Sequence, residues 1–173
     1  MVKFLIGGSP CTHWSIAQSK ARETEPEGIG WELFKNYLIA KEKFQPDFFL
    51  YENNKSAAEA IKSRISEELG TPLQYINSAL VSAQNRWRFY AHNIPGVEQP
   101  EDRHIMLADI LESVTGEQPI PLNAAKNGKA QCLRATCYKD GMRNLICNNV
   151  DRRTCVAEWV PFNYKPHKDS DIV

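Results

Sequence analysis

A chain of 173 residues with 42% hydrophobic and 24% charged residues has the composition of a globular protein, long enough for one sizeable core with an appendage. The 21 basic and 21 acidic side chains cancel to a formal charge of zero, which argues against binding a polyanion through bulk charge. No apolar run reaches the roughly 20 residues that span a bilayer, and Met1–Ile6 is too short for a signal-peptide core, so a cytoplasmic location and no membrane partner are expected. The five cysteines are irregularly spaced, and Cys132, Cys137, Cys147 and Cys155 include no Cys-x-x-Cys pair of the kind structural zinc uses, so free thiols and no metal site are expected.

In chain order, Val2 to Ile6 is a short apolar run ending in Gly7-Gly8-Ser9-Pro10, which predicts a buried parallel strand entering a loop. The stretch from Ser15 to about Gly28 is polar and aperiodic, and its length predicts a functional loop or lid. Trp31, Phe34, Leu38 and Ile39 mark the apolar face of a helix over 30–43 that stops before Pro46-Asp47. Phe48 to Tyr51 predicts a second buried strand. Ser56-Ala57-Ala58-Glu59 has the form of a capping box opening a helix with Ala57, Ile61, Ile65 and Leu69 inward and Gly70 at its end. This alternation predicts an α/β fold with a parallel sheet covered on both faces. Leu73 to Asn77 and Trp87 to His92 predict a hairpin at the sheet edge. A boundary near Ser113 to Pro121 separates domain 1–112 from an irregular region 113–173. Charge is also uneven: residues 98–118 hold six acids against Arg103, whereas residues 126–153 hold seven bases against Asp140 and Asp151.

Three positions suggest chemistry. Cys11 follows a Gly-Gly-Ser-Pro turn at a strand's carboxyl end, where open α/β sheets place ligands, and Pro10 restricts the backbone ahead of the thiol. Glu52, after Phe48 to Tyr51, is expected to project from a neighbouring strand end, with Asn53 beside it. Gln84, Arg86 and Arg88 alternate, so on a strand all three share one face, a costly stripe unless it meets anions or acceptors. Each alone has a plainer reading: an inert buried thiol, a loop start, a solvated edge strand.

Taken together, Gly7-Gly8-Ser9-Pro10-Cys11, Glu52-Asn53 and Gln84-Asn85-Arg86-Trp87-Arg88 resemble the catalytic half of the DNA cytosine-5 methyltransferases over about Phe4 to Asp109. Thr12 to Gln18 and Ala79 to Arg86 look like the phage and prophage branch. The resemblance implies a partial Rossmann-like class I S-adenosylmethionine-dependent methyltransferase fold, with a partial target-recognition region over 113–173. It implies that Cys11 adds to C6 of a cytosine flipped out of double-stranded DNA. Glu52 would hold N3 and the exocyclic amine, with a carboxyl whose pKa is raised by partial burial. Arg88 would meet O2, while Pro10, Asn53, Gln84 and Arg86 support substrate binding and orient the catalytic loop. Arginines near Cys11 would favour its thiolate. The loop over 15–27 resembles the family's mobile lid. The usual Glu-Asn-Val appears here as Glu52-Asn53-Asn54, a departure that touches support rather than chemistry.

The family's cofactor is S-adenosylmethionine. Its glycine-rich turn and acidic ribose ligand normally stand before the segment matched by Gly7 to Cys11, so an incomplete cofactor site and a complementary methyltransferase polypeptide are expected. A restriction-linked or phage role in a bacterial or phage-infected cell also follows from the resemblance. An RNA cytosine methyltransferase and a non-catalytic DNA-binding remnant are the alternatives. An unrelated cysteine enzyme is disfavoured because His92, His104 and His167 have no context as a thiol-activating base and His13 is only two positions from Cys11.

Overall fold

The structure, a computed structural model, describes residues 1–16, 22–111, 120–122, 128–130 and 155–157. Their contacts divide into two units, one of residues 1–77 and 87–101, the other of residues 78–86 and 102–173.

The first unit is a four-stranded mixed sheet with two helices. Its elements are β1 (Phe4–Gly7), α1 (Gly28–Phe44), β2 (Phe48–Asn54), α2 (Glu59–Leu69), β3 (Leu73–Asn77) and β4 (Trp87–His92). The sheet order is β1-β2-β4-β3. β1 runs parallel to β2 from Phe4 opposite Phe48 to Gly7 opposite Tyr51. β4 is antiparallel to both neighbours, with Glu52 opposite Tyr90 and Asn77 opposite Trp87. The carboxyl ends of β1, β2 and β3 and the start of β4 therefore share one end of the sheet.

Alternation along β2 sends Phe49, Tyr51 and Asn53 inward, and α1 and α2 cover that face. Trp31, Phe34, Tyr37, Ile61, Ile65 and Leu69 close on Phe49, Tyr51, Phe89 and Ala91 in one core. Phe34 and Tyr37 meet Tyr51 edge to face, at 5.2 and 5.0 Å between ring centres.

Several expectations are corrected here. The sheet is mixed and, among the described residues, both helices pack on one face. β1 is an edge strand, with Phe4 53% and Ile6 71% exposed, because its alternate residues face away from the helices. β2 runs to Asn54, so Glu52 lies inside the strand and not after it. The hairpin exists, but β4 inserts between β2 and β3, so of its two strands β3 alone is an edge. In α1 Tyr37 takes the buried place assigned to Ile39, which is 47% exposed. The capping box does not form: α2 starts at Glu59 after Ala58, and the buried Ser56 hydroxyl has no hydrogen-bond partner. Asn54 Oδ1 instead accepts from the Ser56 backbone N–H, so the segment before α2 is an asparagine turn. Gly70 ends α2 in the left-handed conformation as expected.

The second unit contains single turns of 3₁₀ helix at Ser78–Leu80 and Leu107–Ile110 and the strands β5 (Ile120–Leu122) and β6 (Cys155–Ala157), paired antiparallel. Residues 82–85 are tied to 129–130: Ala130 N–H donates to Ala83 O at 2.6 Å and Asn85 N–H to Ala130 O at 2.8 Å. Most of the basic segment 126–153, and Cys132, Cys137 and Cys147, lie outside the described residues.

Candidate active site

The cysteine loop leaves β1 at the end of the sheet where β2 finishes. Gly8 is pressed against β2 so closely that a Cβ there would stand 2.4 Å from the Glu52 carbonyl oxygen, and no other residue fits without moving the strand. Ser9 is then fastened from below. Its hydroxyl lies 2.7 Å from the Tyr51 hydroxyl, and the Asn53 amide donates to its carbonyl at 3.0 Å and to its hydroxyl at 3.2 Å. Asn53 also donates to the Tyr51 hydroxyl at 3.0 Å. Tyr51 is wholly buried and Asn53 2% exposed, so this trio is a closed polar cluster that would be costly to leave half-paired. Burial, with a smaller push from Glu52, raises the Tyr51 pKa despite hydrogen bonds to Ser9 and Asn53, which keeps its hydroxyl neutral.

Beyond exposed Pro10, the half-buried Cys11 begins a tight turn whose carbonyl accepts from the N–H groups of Trp14 at 3.1 Å and Ser15 at 2.9 Å. Trp14 is completely buried and anchors that turn. Its indole N–H donates to Glu23 at 3.1 Å, and the same carboxylate accepts from the Gly30 N–H in the first turn of α1 at 3.0 Å. A carboxylate there satisfies an otherwise orphaned helix donor and meets the positive end of the helix dipole. Glu23 N–H donates to His13 O at 2.9 Å, and Arg22 donates to the carbonyls of Trp14 and Ser56. The turn at 11–16, which leads into the predicted lid over 15–27, and the described far end of that lid, 22–27, are thus bound to each other; residues 17–21 lie outside the described residues.

On the opposite side of β2 from Asn53 stands Glu52. Its carboxylate meets Arg88 Nε at 2.7 Å, a diagonal pair across β2 and β4, with the Arg88 side chain 13% and the Glu52 side chain 37% exposed. Arg88 Nη1 also donates to the Trp87 carbonyl at 2.8 Å. The sheet therefore brings the Cys11 loop, Glu52 and Arg88 to one end, and gives Asn53 to the loop's support.

Gln84 and Arg86 are not on β4, which starts at Trp87, so the three-residue stripe does not form. Both belong to the second unit, where Gln84 bridges to Ala130. Lys129, one of the seven bases, is 3% exposed and donates to the carbonyls of Ile105 at 2.6 Å and Ser82 at 3.2 Å, so its ammonium braces this unit instead of facing solvent. Sequence reasoning missed the brace made by Tyr51 and the clasp made by Glu23. The alternation of Phe49, Tyr51 and Asn53 carried a signal for the first; nothing local marked the second.

A thiol on a braced loop, with a carboxylate and a guanidinium paired at the same sheet end, fits the class of enzymes that work through a covalent adduct with their substrate. Residues 1–108 match the family described as C-5 cytosine-specific DNA methylase. The chain belongs to that family. Among curated relatives, the type II methyltransferase M.FnuDI of Fusobacterium nucleatum is 40% identical over 68 residues, which make up 36% of this chain and 19% of that protein. The match therefore spans about a fifth of the relative's length.

S-adenosylmethionine is the family's methyl donor. Among the described residues β1 is the edge of the sheet, and no glycine-rich turn or acidic strand end lies beyond it. The close-approach glycine that is present, Gly8, is filled by Glu52 and leaves no cradle. Among the described residues no cluster of His, Cys, Asp or Glu could hold a metal, and no helix is long and apolar enough to cross a membrane.

Proposed function

We infer that this chain carries the cytosine-activating part of a DNA cytosine-5 methyltransferase, on a partial Rossmann-like class I fold. The observation that carries the reading is the Glu52–Arg88 pair at 2.7 Å at the sheet end where the cysteine loop is clamped. In this reading the Cys11 thiolate adds to C6 of a flipped cytosine. The S–C6 bond forms, the C5–C6 π pair moves between C4 and C5, and the displaced pair settles on N3, which takes a proton from Glu52. Arg88 donates to O2 and holds Glu52 in line. After C5 has been substituted, loss of its proton restores the ring double bond, expels the thiolate and returns the N3 proton to Glu52. Asn53, Tyr51 and Ser9 keep the loop from drifting, since small displacements of a reacting atom cost large factors in rate.

The methyl donor's pocket is assigned to strands outside the described residues, paired along the open edge of β1. Such strands lie elsewhere in the same protein or on a complementary methyltransferase polypeptide. Pro10, Gln84 and Arg86 remain assigned to substrate and loop orientation, double-stranded DNA is the substrate, and a restriction-modification or phage setting is in keeping with the relative's type II designation. A non-catalytic DNA-binding role is the second reading, favoured by the close approach of the Glu52 carbonyl to Gly8, which leaves no cradle for a cofactor at that turn.

The test uses duplex DNA bearing 5-fluorocytosine, the full chain, its complement and S-adenosylmethionine. The wild type is expected to form a covalent adduct, Cys11→Ser to form none, and Glu52→Gln to slow adduct formation by ~10² to 10⁴ with DNA affinity nearly unchanged. Adduct at normal yield with Cys11→Ser would overturn the assignment, and DNA binding without adduct in the wild type would establish the second reading.

A further inference from the structure

At the same end of the sheet, on the helix-covered side, lies a cluster that the reaction does not use. Lys55 follows directly on β2, three residues beyond Glu52, and its ammonium sits 3.9 Å from the centre of the Trp87 ring and 6.0 Å from that of Tyr75. Trp87 is the first residue of β4, 45% exposed, and sits beside Arg88. Behind them Lys62, 8% exposed, lies 5.5 Å from the Tyr75 ring and pairs with Glu59 at 2.7 Å. The guanidinium of Arg22 reaches the carbonyl of Ser56, the next residue after Lys55, which places the returning end of the cysteine loop alongside.

Charge separates these cations. Arg88 is answered by Glu52 and Lys62 by Glu59. Among the described residues no carboxylate lies within ion-pair distance of Lys55, which is exposed. An exposed ammonium over an indole is a weak contact, too little to account for a large exposed aromatic ring held on a strand end. The pair does present a fixed positive charge above an apolar face, which is the complement of a phosphate joined to a sugar. Trp87 limits the freedom of Lys55, so less entropy is lost when a phosphate arrives.

We propose that Lys55, held over Trp87, is a phosphate-binding site for the backbone of double-stranded DNA beside the target cytosine, with the exposed Trp87 face against the neighbouring deoxyribose. This rests on the DNA reading above.

The experiment measures binding of the full chain to a fluorescent DNA duplex, and in parallel to an RNA duplex, by anisotropy across a salt series, for wild type, Lys55→Gln, Trp87→Leu, Trp87→Phe and, at the other end of β1, Lys3→Gln. Lys55→Gln is expected to lower the slope of log affinity against log salt by about 0.9 and to weaken binding about eightfold at 0.1 M salt. Trp87→Leu should weaken binding at every salt concentration without altering the slope, Trp87→Phe should restore most of it, and Lys3→Gln should match wild type. A thermal melt of each variant confirms that these exposed substitutions leave the fold intact. An unchanged slope in Lys55→Gln, with wild-type binding intact, overturns the site alone. Absence of salt-dependent duplex binding by the wild type overturns the DNA reading and the site with it, and a slope loss confined to RNA overturns the assignment to DNA.

Discussion

Replacing Gly8 by alanine tests whether the cysteine loop is positioned by backbone contact with β2. The added methyl would lie 2.4 Å from the Glu52 carbonyl oxygen, whereas comfortable C···O contacts begin near 3.3 Å, so a displacement of about 0.9 Å is required. The obstacle is main chain, not the movable end of a side chain, and Glu52 is locked in register opposite Tyr90. Overpacking of this kind costs about 1 to 3 kcal/mol, and disturbing one sheet hydrogen bond adds about 1, for a total near 3 kcal/mol. In a chain of this size that lowers the melting temperature by about 6 to 12 °C. Gly70→Ala is the comparison: Gly70 has φ +67° and nothing within 4 Å of an added methyl, so its cost is conformational only, about 1 to 2 kcal/mol. Urea midpoints and melts of the two variants should rank Gly8→Ala as the more damaging. A Gly8→Ala protein within about 0.5 kcal/mol of wild type would refute the close approach.

Tyr51→Phe removes the buried hydroxyl that Ser9 and Asn53 share, and is expected to cost about 1 to 3 kcal/mol in urea unfolding and to slow adduct formation at Cys11; unaltered stability would show that the cluster braces nothing. Burial, helped by neighbouring Tyr51, pushes the Tyr37 pKa up to about 12 from 10, so the folded state holds a proton that the unfolded chain releases. The sign follows: that stability is fully present below pH 10 and is lost as pH rises towards 12, and Tyr37→Phe should flatten this limb of the stability curve, an unchanged limb counting against it. Lys62 acts in the same direction, since its hydrogen bond to Glu59 and its attraction to Tyr75 and Glu59 outweigh the opposing effect of burial and raise its pKa.

How much was legible beforehand depended on the range of the forces involved. Local periodicity announced β1, α1, β2, α2 and the hairpin, because amphipathic spacing and the Gly70 terminator act within a few residues. The same local order, Gly-Gly-Ser-Pro-Cys, Glu-Asn and Arg88, carried the family resemblance, and the match over residues 1–108 bears that out. What local order did not contain was pairing. That β4 sits against β2 decides that Arg88 meets Glu52; register is set by which faces bury together, information spread over residues some 35 apart. That Asn53 turns inward onto Ser9 while Glu52 turns outward follows from strand alternation only once β2 is known to continue to Asn54. The clasp of Glu23 on Trp14 and Gly30 joins a loop residue to a buried indole and a helix end, three groups that become neighbours only when the chain closes on itself. Sequence by itself determined the chemistry available and the elements that carry it; tertiary structure decided which groups meet, because side-chain contacts across a sheet depend on register and burial, which no single segment encodes.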